Sequence, residues 1–316
     1  MPAYVMTEVP FDLKTNDLSN RVIKRNSFAG FKTDFFAWLL IVPALLLIYF
    51  FTVRPIFTGI WYSFHRMQGY TILDFCGLDN YARVLSDTRF IQVLENSVKY
   101  VVWSLVIGFL LPVFAAIFIN EMVHGSQIFR LSVYLPGVMP ALVTSLLWQN
   151  MYSPATAGLL NTFLSHFGVE PLGWLQNAKM TIPLIIVSCT WGGFGGTTLL
   201  YLASLQNVNT DLYEAATIDG AGFFTRIRKI TLPSISNSML LFFCMQIIST
   251  FNIMEQPLAM TGGGPNNASM SLALWSYYNG FISFNTESAI ATSVITFLIL
   301  VVLTGFYHSL EKKIEV

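Results

Sequence analysis

Six runs of about twenty mostly apolar residues, at 35–57, 97–120, 131–152, 182–205, 234–257 and 288–307, leave this chain few ways to fold. Each matches the roughly 20 residues that an α-helix needs to cross about 30 Å of hydrocarbon. The expected fold class is therefore all-α integral membrane, with six transmembrane helices. Hydrophobic residues make up 54% of the chain and charged residues 11%, far from the make-up of a soluble domain of 316 residues. Seventeen basic and seventeen acidic residues cancel. Membrane lipid is the expected surrounding, and nucleic acid is not an expected partner.

Ahead of the first run lies a polar arm, 1–34, carrying Lys14, Arg21, Lys24, Arg25 and Lys32. It is too long and too polar for a cleaved signal peptide and is expected to stay attached, leaving 35–316 as the transmembrane domain. If the arm is cytoplasmic, that side also collects Arg130, Arg226, Arg228, Lys229, Lys312 and Lys313. Arg54, Arg66, Arg83, Arg89, Lys99 and Lys179 fall on the other side, a balance of eleven against six. Both termini are then cytoplasmic, and so is the stretch between the fourth and fifth runs. The outer loops, 65–96, 153–181 and 258–287, are too short for a substantial domain, so a solute would be caught by a separate protein.

Between the fourth and fifth runs the chain reads Asp211-Leu-Tyr-Glu-Ala-Ala-Thr-Ile-Asp-Gly-Ala-Gly-Phe-Phe-Thr-Arg-Ile-Arg-Lys-Ile-Thr-Leu-Pro233. Asp211 with Glu214 three positions on makes a capping box for a short helix through Leu212, Ala215, Ala216 and Ile218. Gly220 ends that helix in a left-handed conformation. A second helix carries an apolar stripe of Phe223, Phe224, Ile227 and Ile230, and Pro233 suits the first turn of the following span. The product is a helix-turn-helix knob, apolar on one side, with Arg226, Arg228 and Lys229 on another. Capping box and glycine alone would also suit an ordinary amphipathic connector.

Other motifs carry less chemistry. Cys76, Cys189 and Cys244 have no spacing for a metal or a disulfide framework, and His65, His124, His166 and His308 are dispersed, so neither a metal site nor a catalytic residue is expected. Thr261-Gly-Gly-Gly-Pro265-Asn-Asn-Ala reads as a turn, because no Gly-Lys-Ser/Thr follows to make a phosphate loop. Gly192-Gly-Phe-Gly-Gly196 has the small-residue spacing of close helix packing. For a solute path the candidates are Gln246, Asn252 and Glu255 on the fifth run, the last pair on one face, because polar groups inside spans face water, protein or ligand. Trp191, with Tyr201, Trp148 and Trp275, could supply stacking rings, although interfacial belts use such residues equally well.

Glu214, Ala215 and Ala216, then Gly220, Ile230, Leu232 and Pro233, fill every fixed position of a pattern written EAA, three residues, G, nine residues, I, x, LP. The stretch resembles the coupling loop of ABC importer permeases, here 206–233. Phe251-Asn252, the run Met260 to Ser269, Trp191-Gly-Gly and Leu202-Ala-Ser-Leu-Gln206 are similar to the MalF-like carbohydrate-uptake branch, although the aspartate often found at the position of Asn252 is absent.

The resemblance implies the ABC type I importer permease fold, with a family core over about 97–307 and the first span as an extra helix. It implies a multi-pass protein of the bacterial inner membrane. The expected partners are a second, MalG-type permease subunit, two ATP-binding subunits holding ATP and Mg, an extracytoplasmic solute-binding protein and an oligosaccharide. This chain would hold no cofactor and hydrolyse no nucleotide. Glu214 would place charge at a helix N-terminus or form a salt link to the ATPase, and Gly220 would set the angle between the two short helices. Within the sugar branch the chain is similar to the membrane subunits of alginate importers, yet a path for such polyanions would call for cations, and Arg54 is the clear one within the spans.

The alternative is an ion-coupled secondary transporter of a small polar solute. It would call for an internal repeat and charged relays that the sequence does not display. A membrane enzyme would need a cluster of titratable groups.

Overall fold

The computed structural model describes residues 27–122, 124–154 and 158–314, with side chains described from 38 to 309 within those ranges. Residues 1–26 of the expected arm, and the side chains of Lys32, Lys312 and Lys313, lie outside the described residues. Contacts divide the chain into two compact units, Met1–Thr58 and Gly59–Val316. The first holds helix Ser27–Ile48, a π-helical turn at Tyr49–Val53, and the opening residues of helix Arg54–Tyr62. Its described side chains, from 38 onward, are mostly exposed, Leu40 at 81% and Phe51 at 78%. A helix so apolar on every face needs an apolar solvent.

Among the described residues, four helices are long and apolar enough to cross a membrane: Trp38–Tyr62, Thr88–Glu121, Thr181–Gln206 and Thr286–Ser309. The other two expected spans are bent. Ser126–Val138 meets Ala141–Met151 at 93°. The break falls at Met139, extended at φ −73 and ψ 138, because the following Pro140 disfavours a helical residue before it and has no N–H to give to the ladder. Phe223–Ser234 meets Ser236–Phe251 at 67°. Pro233 therefore stands in a three-residue helical turn, Leu232–Ser234, that the bend at Ile235 separates from the span; it does not open the span as its sequence context suggested. A π-helical turn at Ile227–Thr231 lies just upstream, where the Leu232 N–H donates to Ile227 O.

The fifth expected run also ends early. Its helix stops at Phe251, and a new one starts at Glu255 and runs to Thr261. The second span begins at Thr88, where the Asp87 side chain caps it by accepting from the Arg89 N–H at 2.9 Å. Among the described residues, the first long loop adds to the helices a hairpin of β1 (His65–Gln68) and β2 (Thr71–Phe75), antiparallel, with Met67 opposite Ile72. Alternation over these few residues is too short to stand out in sequence.

At the hairpin end the loops are tied to the spans. Glu287 accepts from Arg83 and from the Met67 N–H. Asn96 donates to the Asn267 and Met270 carbonyls at 2.7 and 3.2 Å, and the Tyr100 hydroxyl to Ser269 O at 2.9 Å. The glycine-rich run is thus a tight turn clamped onto the second span, with Asn266 and Asn267 both at positive φ. In the middle, the fourth span lies against the third so closely that a Cβ on Gly195 would stand 2.2 Å from Val133 O, the packing that its small-residue spacing implies.

Candidate functional site: an exposed helical knob and a polar cavity

The knob is built from local backbone chemistry. Its first helix is Thr210–Ile218, and the cap is Asn209, whose side chain accepts from the Asp211 N–H at 2.9 Å. The capping box expected of Asp211 and Glu214 is replaced by this cap two residues earlier, because Asn209 holds the extended conformation and the backbone is already helical at Thr210. Asp211 and Glu214 lie in the first turns, where carboxylates favour the helix dipole. The helix ends in a Schellman motif: Gly220 N donates to Thr217 O at 3.1 Å and Ala221 N to Ala216 O at 2.8 Å. Gly220 has φ +75, and nothing lies within 4 Å of where its Cβ would stand. The demand for glycine here is conformational and not one of space.

Two side-chain links hold the second helix back against the first. The Tyr213 and Thr231 hydroxyls are 3.0 Å apart, and Arg226 donates to Thr217 Oγ1 at 3.3 Å. Arg226 also pairs with Glu121 at the end of the second span, 3.6 Å away. Underneath, Ile227 and Leu232 pack on a core cluster that includes Val113, Tyr201, Leu205 and Ile235. Ile230 is half-buried, while Glu214, Ala215, Gly220 and Pro233 are exposed and Ala216 is half-buried. The outward face is apolar as well: Ile218 is 86% and Phe224 82% exposed. Glu121 lies 105 residues before Arg226 in the chain, so no local pattern marks it as a partner of the knob.

A second feature is a cavity of about 990 Å³, within the usual range for small-molecule sites. It opens where helices break. Gln246, Asn252 and Glu255 all line it, brought together by the end of one helix and the start of the next and not by a shared helical face. Gln246 donates to Ser104 O at 2.7 Å, a carbonyl at the edge of a π-helical turn, Leu105–Phe109, in the second span. Gly108 makes room for this: a Cβ there would lie 2.9 Å from Thr190 Oγ1 and 3.1 Å from the Gln246 amide nitrogen. Asn252 donates to Ile248 O at 3.1 Å.

Trp191 is not a wall residue; its ring packs edge-on against Trp148, centroids 5.8 Å apart. Tyr201 is buried against Phe242, and Trp275 lies under Arg89. The rings on the wall are Phe194 and Phe242, which sequence reasoning missed. Thr144, Ser145, Thr190 and Gln256, also on the wall, were missed because no motif marks them.

The model of one protein family, described as "Binding-protein-dependent transport system inner membrane component", matches residues 108–316. The trehalose/maltose transport system permease protein MalF of Thermococcus litoralis is 32% identical over 92% of this chain and 96% of that protein. The lactose transport system permease protein LacF of Rhizobium radiobacter is 30% identical over 89% and 96%. Among solved structures, a chain of a bacterial ABC transporter involved in the import of the acidic polysaccharide alginate superposes with a TM-score of 0.81 at 22% identity, covering 90% of this chain and 98% of that one.

Proposed function

This chain belongs to the family of inner membrane components of binding-protein-dependent transport systems, and we propose that it forms half of the path of an ATP-driven importer of a sugar or oligosaccharide. The relatives named as sugar permeases support the cargo class. The exposed knob carries the reading of the drive. Large apolar side chains at Ile218 and Phe224 are exposed on a hydrogen-bonded turn, and a partner's groove would cover them. The partner is one of two ATP-binding subunits, which hold ATP and Mg, and the loop and both termini face the cytoplasm, as the basic residues favour. A second permease subunit completes the path, and a solute-binding protein delivers cargo from outside.

In this mechanism nucleotide-driven closure of the ATP-binding pair moves the knob. Arg226 with Glu121, and Ile227 and Leu232 with their core cluster, carry that motion into the second and fifth spans, both of which line the cavity. Reconstitution of the four membrane and ATP-binding subunits with the solute-binding protein tests the reading: sugar uptake should need ATP and survive collapse of ion gradients. Uptake by this chain alone, driven by protons or sodium, would overturn it.

A further inference from the structure

We propose that the cavity selects neutral polyhydroxy cargo and turns away anionic sugars, with Glu255 as the specificity-determining side chain; this deepens, and rests on, the importer reading above. Among the described residues, the wall contains no lysine, arginine or histidine, and Glu255 is its only carboxylate. Among the described residues Glu255 makes no ion pair and it is exposed, so its charge faces the space that cargo would occupy. Recognition of a carboxylate, sulfate or phosphate calls for guanidinium or ammonium groups with geometry to match. Nothing of that kind is on this wall, and a cargo carboxylate beside Glu255 would meet a like charge in a site of lowered dielectric.

The rest of the wall favours the opposite chemistry. Gln246 and Asn252 each commit one amide proton to a backbone carbonyl, leaving on each an acceptor oxygen and one further N–H donor. With the Glu255 carboxylate they form an acceptor-rich side suited to sugar hydroxyl donors. Ser249, Thr190 and Gln256 can answer as donors or acceptors, and Phe194 and Phe242 offer rings. Discrimination of this kind works by repulsion as much as by attraction.

The test removes the solute-binding protein, whose own preference would mask the cavity's. The complex of this chain, its permease partner and the two ATP-binding subunits in nanodiscs is titrated with a glucose trisaccharide and with the matching glucuronic acid trisaccharide. The wild-type complex should bind the neutral probe on the order of tenfold more tightly at neutral pH, with a gap that narrows as salt is raised. Glu255→Gln should close most of the gap by improving the acidic probe, in a complex that keeps its ATP-binding subunits. Equal or tighter binding of the acidic probe by the wild type, or an unchanged ratio in Glu255→Gln, would overturn this inference alone. A complex that binds neither probe would overturn the importer reading with it.

Discussion

The knob at 206–233 and the cavity wall are both made of broken helices, but they repair their breaks differently. In the knob, each backbone group freed at Gly220 finds its partner within five residues, and the hydroxyl links reach no further than 18. On the wall, Ser104 O accepts from Gln246, 142 residues away. A locally closed turn can move as a unit. A wall tied by a bond between distant spans changes when those spans shift.

The largest expected effect comes from forcing the knob's turn. Gly220→Val puts a β-branched residue at φ +75, a conformation that costs about 1 to 3 kcal/mol for such side chains. Uptake by the reconstituted complex should fall about tenfold, as expected for this loss of productive geometry, while the subunits still co-purify and hydrolyse ATP. Full uptake would break the view that the turn transmits force.

Gln246→Leu probes the wall. It removes the side-chain donor to Ser104 O, a loss of about 1 to 3 kcal/mol, and should lower the thermal unfolding temperature of the complex; Gln246→Glu, whose carboxylate cannot donate to that carbonyl, should not preserve it. An unchanged unfolding temperature would show that the long-range bond contributes nothing.

That contrast also explains what could be read from the chain alone. The six apolar runs and the glycine turn follow from length and local conformation, so both are visible in sequence. The bends at Met139 and Ile235 and the early end at Phe251 were not, because continuous hydropathy conceals a broken helix. Glu255 was named, but its place depended on a helix break between it and Asn252. Thr190, Phe194 and Gly108 came into view only with tertiary packing.

A smaller effect is expected at the opposite end from the knob. Asp87→Ala removes the cap of the second span, about 1 kcal/mol, measured by denaturation of the complex. Arg89 donates to the Asp87 carboxyl and holds it below the usual carboxylate range. Its contribution is therefore complete above about pH 4 and lost as pH falls through the lowered folded value. The alanine variant should lack that acid-side loss.

The smallest belongs to the pair between knob and span. Arg226 and Glu121 are partly exposed, so Arg226→Gln should cost under about 1 kcal/mol of stability. Transport per ATP should nevertheless fall, and the swap Arg226→Glu with Glu121→Arg should recover part of it. No recovery would remove this pair from the route of force.

The central claim, that the exposed apolar tip of the knob is a seat for an ATP-binding subunit, is tested most directly by a photo-reactive residue in place of Ile218 in the assembled complex in native membranes. The account predicts capture of the ATP-binding subunit, in a yield that changes when a non-hydrolysable nucleotide is added. Capture of lipid or of the permease partner, with no ATP-binding subunit, would contradict it.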